Sequence, residues 1–144
     1  MVRTTQFSDL ESQLDIFDKF PRFSLDKFVK DETRPTAIII TRDGCSDSAK
    51  FEQYIPDLEN LFSGKAILER VHVKYSENNK EESDRAKRIL KISGYHTVII
   101  YVPSPYGNLE SYRETEPEIE RVTEQINKAL DRTEIYQKLK IRTS

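Results

Sequence analysis

The sequence predicts an α/β protein in which a small mixed β-sheet is covered by helices on both faces. Short apolar, β-branched runs alternate along the chain with segments whose apolar residues recur at helical spacing. This is the pattern of strands joined by covering helices. A turn cluster between the last two β-rich runs predicts a hairpin, which adds an antiparallel edge. The 144 residues suffice for one domain with a sizeable core.

The first third of the chain has the weakest patterns. We expect residues 1–13 to be flexible and the apolar residues within 14–17 to form a short edge strand. A brief helix is predicted over residues 24–30, because Ser24 can cap it. The run Thr-Ala-Ile-Ile-Ile-Thr at residues 36–41 is the first strong strand signal.

The middle of the chain predicts a helix, a strand and a second helix. The helix after Cys45 has an apolar stripe comprising Phe51, Tyr54, Ile55, Leu58, Leu61 and Phe62. Ser-Gly at 63–64 is a suitable helix stop. Residues 67–75 predict a strand, because apolar and polar side chains alternate over residues 71–75. Residues 81–92 predict the next helix, with Gly94 as its terminator.

The C-terminal third predicts a hairpin and a long helix. Residues 97–113 contain two β-rich runs around a turn at 103–108. The last helix is predicted to start with Thr115 as its N-cap and Glu118 completing a capping box. Its predicted buried face comprises Ile119, Val122, Ile126 and Leu130. We expect residues 131–144 to extend this helix or to fray.

Two short segments carry the functional interpretation. Cys45 is the only cysteine and lies between a predicted strand and a predicted helix, where a helix N-terminus favours a thiolate. The second segment is Gly-Tyr-His-Thr at 94–97, which opens a β-branched strand. Cys45 has two open interpretations, a reactive thiol or an inert packed side chain.

The element order and these two segments together resemble the thioredoxin superfamily over about residues 14–130. In that family a Cys-x-x-Cys motif follows the central strand, and a cis-proline segment faces it. The resemblance places Cys45 at the first cysteine, Ser48 at the second and His96 at the proline. It implies a thioredoxin-like fold, a central mixed sheet of about four or five strands flanked by about four helices, with residues 131–144 as a C-terminal extension.

Pro56 leaves the register of this motif open. The family often has a proline eight residues after its first cysteine, but Pro56 lies eight residues after Ser48 and eleven after Cys45. If Pro56 sets the register, Ser48 takes the nucleophile position, Phe51 takes the second position and no thiol remains. If the turn is longer, Cys45 is the motif residue. We favour Cys45, because the predicted strand ends just before it.

Two classes of function are compatible with these departures from the family. The first is a binding module, redox-inactive or weakly active, that contacts a protein or peptide through Gly44, Cys45, Tyr95, His96 and Thr97. The alternative is a monothiol oxidoreductase or isomerase with Cys45 and Ser48 as its catalytic residues. Because an internal resolving thiol is missing, glutathione would release the mixed disulfide. The loss of both the second cysteine and the facing proline favours binding.

His96 has three interpretations. In the first, His96 is a loop residue in an ordinary trans peptide, since a cis bond before a residue other than proline is costly. In the second, it is a hydrogen-bonding or proton-transfer partner of Cys45. In the third, His96 and Cys45 ligate a metal or iron–sulfur cluster, which requires further ligands from a second subunit or glutathione.

Composition narrows the classes of partner. The 23 Lys and Arg residues nearly balance the 25 Asp and Glu residues, for a net charge of −2. This balance gives no indication of nucleic-acid binding. The apolar runs are far shorter than the roughly 20 residues that cross a bilayer. We expect no membrane insertion, no cofactor other than glutathione, and the cytoplasm or another reducing compartment unless a signal peptide has been removed. The oligomeric state is not predicted.

Overall fold

The computed structural model describes residues 2–17, 25 and 29–143. Its elements are β1 (Arg3–Gln6), α1 (Phe7–Phe17), β2 (Thr36–Arg42), α2 (Ser46–Glu52), α3 (Ile55–Phe62), β3 (Ile67–Val73), α4 (Glu81–Leu90), β4 (Thr97–Ser104), β5 (Gly107–Thr115) and α5 (Ile119–Thr143). None of the helices in these described ranges is both long enough and apolar enough to cross a membrane.

The strands form one five-stranded mixed sheet in the order β1-β3-β2-β4-β5. β1 and β2 run parallel to β3, whereas β4 runs antiparallel to β2 and pairs with β5 in a hairpin. The predicted α/β class, the mixed sheet and the antiparallel edge are therefore confirmed. β2 lies at the centre and is buried from Thr36 to Thr41, as expected for a strand whose sheet is covered on both faces.

The alternation of side chains along β2 divides the core between the two faces. Ile38 and Ile40 belong to a cluster that includes buried residues of α1 and α4. Ala37 and Ile39 belong to a second cluster with buried residues of α2, α3 and α5. Burying each isoleucine side chain stabilises the fold by about 1.5–3 kcal/mol. The two clusters hold the C-terminal ends of β2 and β3 in place, and the candidate site lies there.

The N-terminal segment differs from the prediction. We expected flexibility over residues 1–13 and an edge strand over 14–17, but residues 3–6 form β1 and residues 7–17 form α1. The edge-strand prediction is wrong because Phe7 and Leu10 are spaced for one helix face, and both are buried. Of the predicted helix over residues 24–30, residues 24 and 26–28 lie outside the described part of the chain.

The single helix predicted after Cys45 is two helices, α2 and α3, interrupted at Gln53 and Tyr54. Pro56 explains the break, because it cannot donate to the carbonyl four residues earlier and its ring clashes with that carbonyl. In the first turn of α3, Pro56 is tolerated. Tyr54 and Leu61 are 44% and 55% exposed, so the predicted stripe is only partly buried. The predicted stop is confirmed, since α3 ends at Phe62.

Two other helix ends also differ. α4 ends at Leu90, and Lys91 takes the left-handed conformation with φ 58°. Lys91 therefore takes the role predicted for Gly94. α5 begins at Ile119, so the predicted capping box is wrong. Thr115 is instead the last residue of β5, where its hydroxyl lies 3.0 Å from that of Ser93.

α5 continues as a helix to Thr143, over 25 residues. The predicted extension beyond residue 130 is therefore helical. Val122 and Ile126 are buried, as predicted, and Ile119 and Leu130 are partly buried against the same cluster. This helix covers the sheet face on which α2 and α3 also pack.

Candidate functional site

Cys45 lies in the short turn that joins β2 to α2. Gly44, directly before it, has φ +67°, a conformation that glycine adopts without strain. Cys45 itself is extended, with φ −96° and ψ 118°, and is the N-cap residue of α2. Its carbonyl accepts the N–H of Ala49 at 3.0 Å. We call residues 42–46 the Cys45 turn.

The thiol of Cys45 lies against the segment that was predicted to face it. Its Sγ is 3.6 Å from the carbonyl oxygen of Tyr95 and donates a weak hydrogen bond to it. The side chain is half-buried and packs against the core cluster on the α1 and α4 face. The contact uses the thiol hydrogen, so a thiolate could not make it.

Ser48 lies in the first turn of α2 and faces the interior. It is fully buried, and its Oγ accepts the backbone N–H of Arg42 at 3.3 Å. The hydroxyl thereby links α2 to the end of β2. Pro56, which raised the alternative register, belongs to the separate helix α3.

The peptide bond between Tyr95 and His96 is cis. The expectation of an ordinary trans peptide at this position is therefore wrong. Sequence reasoning misses it because the cis form is so rarely found before residues other than proline. The bond lies opposite Cys45, at the position that the resemblance assigns to the family's cis-proline.

The imidazole of His96 is directed into the protein. Its Nε2 lies 3.0 Å from the carbonyl oxygen of Pro117 and carries the hydrogen, because a carbonyl can only accept. Its ring stacks on Phe51 with centroids 4.3 Å apart. Its Nδ1 has no hydrogen-bond partner among the described residues. The hydrogen-bond partner of the Cys45 thiol is the Tyr95 carbonyl instead of this ring.

The remaining predicted binding side chains are also interior. Tyr95, His96 and Thr97 are 4%, 5% and 0% exposed. The Tyr95 hydroxyl donates to the carbonyl of Ser83 at 3.0 Å, and burial raises the pKa of this phenol. The Thr97 hydroxyl donates to the carbonyl of Gly94 at 2.7 Å. These three side chains support the site from the protein interior, whereas Gly44 is exposed and Cys45 is half-exposed.

Sequence reasoning missed a stacked pair beside the Cys45 turn. The guanidinium of Arg42 lies over the ring of Tyr75, 3.8 Å from its centroid, and 5.6 Å from that of Tyr95. Such cation–π contacts hold a flexible arginine in one place. The pairing of β2 with β3 could have indicated this contact, because Arg42 is opposite Val73 and Tyr75 follows shortly after.

A second missed feature is a polar network around His72. Its Nε2 is 2.5 Å from Oδ1 of Asp43, and its Nδ1 is 2.8 Å from Oγ1 of Thr41. Arg70 donates to Nδ1 from 3.0 Å and forms an ion pair with Glu52. The hydrogen bond from His72 lowers the pKa of Asp43. No local sequence pattern indicates this network, because it joins β2, β3 and α2.

The metal interpretation of Cys45 and His96 gains no third ligand from the part of the chain that the structure describes. Within the described residues, no three side chains of His, Cys, Asp and Glu are placed to hold a metal ion. The Nε2 of His96 is already engaged by Pro117. Additional ligands would have to come from outside this part of the chain.

Comparisons with known proteins agree on the fold. The structure is similar to thioredoxin from Fasciola hepatica, with a TM-score of 0.54 and 12% identity over 89% of this chain and 99% of that one. Thioredoxin f2 of Chlamydomonas reinhardtii gives 0.56 and 12% over 89% and 95%, and oxidised thioredoxin O2 of Arabidopsis thaliana gives 0.56 and 12% over 88% and 92%. No family model and no curated protein sequence matches the chain. The chain therefore has the thioredoxin fold.

Proposed function

We propose that this protein is a thioredoxin-fold binding module that recognises a protein or peptide through the Cys45 turn. The observation that carries the proposal is the burial of Ser48, the residue that the resemblance assigns to the second cysteine. A dithiol site completes disulfide reduction when its second thiol displaces the bound partner. A serine hydroxyl cannot do this, and this one is occupied by the Arg42 N–H.

The environment of Cys45 supports the same proposal. A thiol nucleophile is usually activated by a base or a nearby cation. The imidazole of His96 is held by Pro117 and by its stack on Phe51. The thiol itself donates to the Tyr95 carbonyl. No basic side chain is hydrogen-bonded to Sγ among the described residues.

The Cys45 turn offers a fixed, polar surface to a partner. Asp43, Gly44 and Ser46 are exposed, and Arg42 and Cys45 are half-exposed. Arg42 is held over Tyr75, so its guanidinium needs little further ordering when a partner binds. A cation and a carboxylate next to each other suit a partner with complementary polar groups.

A peptide selection tests this proposal. Peptides selected on the full-length protein from a random library should bind the Cys45→Ser variant with a Kd within about twofold of wild type. Arg42→Ala should weaken them by about tenfold or more, a change of about 1.4 kcal/mol. Lys128→Ala on α5 is the matched control and should leave binding unchanged. Peptides that need the thiol, or that bind Arg42→Ala equally well, would contradict the proposal.

A second candidate function is monothiol exchange, favoured by the half-exposed thiol at the N-cap of α2. Cys45 would attack a glutathionylated protein, forming its own mixed disulfide with glutathione and releasing the protein thiol. A second glutathione would then attack that disulfide, giving oxidised glutathione and free Cys45. This function predicts turnover that Cys45→Ser abolishes.

A further inference from the structure

His72 connects the three elements that meet at the Cys45 turn. It lies on β3, and its Nε2 contacts Asp43 within the turn at 2.5 Å. Its Nδ1 faces Thr41 of β2 at 2.8 Å and the Nη2 of Arg70 at 3.0 Å. Arg70 extends the network to Glu52 at the end of α2. The ring is therefore placed to transmit a change in its charge to the turn.

The hydrogen-bond partners of the His72 ring fit one of its protonation forms. The Asp43 carboxylate only accepts, so the hydrogen on Nε2 is donated to it. The Arg70 guanidinium only donates, so Nδ1 must present its lone pair to accept. Arg70 also donates from Nε to Oγ1 of Thr41 at 3.1 Å. A neutral imidazole with its hydrogen on Nε2 satisfies all of these contacts.

Protonation of the His72 ring would rearrange these hydrogen bonds. A hydrogen on Nδ1 would point at the Arg70 guanidinium, so that donor would have to leave. The new hydrogen would turn to Oγ1 of Thr41 or to Oε1 of Glu52, which lies 4.0 Å from Nδ1. On the other side, the contact with Asp43 would become a charge-assisted ion pair. Lys74 also acts on the Asp43 carboxylate through its charge, and the Tyr75 backbone N–H donates to it. The Arg42 side chain donates from Nε to the carbonyl of Asp43 at 3.2 Å.

We infer that His72 is a positioning residue that makes the geometry of the Cys45 turn depend on pH. Asp43 precedes Cys45 by two residues, and its backbone N–H donates to the carbonyl of Val73 at 3.1 Å. Main chain and side chain thus both tie this residue to β3. Imidazole is the side chain whose charge changes near neutral pH. The inference rests on the proposed function only in treating this turn as the recognition surface.

Nuclear magnetic resonance can follow the ring and the turn in one titration. We expect the backbone amides of Gly44 and Cys45 to shift with the same midpoint as the His72 ring when the pH is varied through the range in which imidazoles change charge. His72→Gln, which keeps a donor for Asp43 but does not titrate, should abolish these shifts. The shifts should persist in Cys45→Ser, which excludes titration of the thiol.

Two results would overturn the inference: a ring that titrates while the amides of Gly44 and Cys45 stay fixed, or amides that shift equally in His72→Gln. The comparison of midpoints in the wild-type protein requires no variant, so poor folding of His72→Gln would not remove the test. A positive titration without any selected peptide would refute the proposed function alone. Selected peptides without a titration would refute the inference alone.

Discussion

At the scale of single residues, the candidate site combines a half-exposed thiol at Cys45 with a buried hydroxyl at Ser48. Cys45 is half-exposed and donates to the Tyr95 carbonyl. Ser48, which the resemblance places at the second cysteine, has a buried hydroxyl that accepts a backbone hydrogen bond. Ser48 therefore has a structural role in the interior, whereas Cys45 reaches the surface. Substitutions at the two positions should have different consequences.

Ser48→Ala should destabilise the protein by about 1–3 kcal/mol, because the Arg42 N–H would lose its buried acceptor. Urea unfolding at neutral pH measures this difference. Ser46→Ala is the control at the exposed first position of α2, where we expect a change within about 0.5 kcal/mol. Equal effects of the two variants would show that the hydrogen bond of Ser48 contributes nothing.

At the scale of elements, the strands and helices are held at their ends by local polar contacts. Asp31, in the turn before β2, accepts from the backbone N–H groups of Thr33 and Arg34 and forms an ion pair with the Arg34 side chain. Lys91 ends α4 in a left-handed conformation. Each of these features should contribute separately to the free energy of unfolding.

The ion pair and hydrogen bonds of Asp31 predict a pH-dependent stability. Burial raises the pKa of this carboxyl, but the hydrogen bonds from Arg34 and Thr33 outweigh it and lower the pKa to about 2. The stabilisation is therefore fully present above the unfolded value near 3.8 and is lost as the pH falls through about 2. Asp31→Asn should cost about 2 kcal/mol at pH 7.

Urea unfolding at several pH values tests this prediction, with Glu77→Gln as an exposed control. The difference between wild type and Asp31→Asn should shrink as the pH falls from about 4 to about 2. A difference that stays constant over this range would mean that the charge of Asp31 is not responsible.

Lys91→Gly should stabilise the protein by about 0.5–1 kcal/mol, because glycine adopts the left-handed conformation at a helix end without a Cβ clash. Lys87→Gly, inside α4, should instead destabilise it by about 1 kcal/mol. Thermal or urea unfolding of the pair measures both signs. Destabilisation by both substitutions would contradict the assigned helix end.

At the scale of the whole molecule, most of the sheet could be predicted from the sequence. β2 and β4 are β-branched and buried on both faces, so their apolar runs are unambiguous. β1 could not be found, because a polar four-residue edge strand has no apolar pattern. The apolar stripe runs through both α2 and α3 and therefore predicts one helix. The division between them depends on Pro56.

The candidate site was predictable in location but not in detail. Cys45 and His96 were placed on facing turns by the family resemblance. The interior direction of the His96 ring depends on tertiary contacts with Phe51 and Pro117, and no local pattern indicates the cis bond before this residue. The network of His72 with Asp43 depends on the register between β2 and β3, which no local pattern specifies.

We propose that the Cys45 turn binds a partner without thiol turnover. The most direct measurement is the rate at which the full-length protein, with excess glutathione, removes glutathione from a glutathionylated peptide. We expect wild type and Cys45→Ser to give the same rate as glutathione alone. A faster rate for wild type that Cys45→Ser abolishes would contradict the claim and establish monothiol exchange instead.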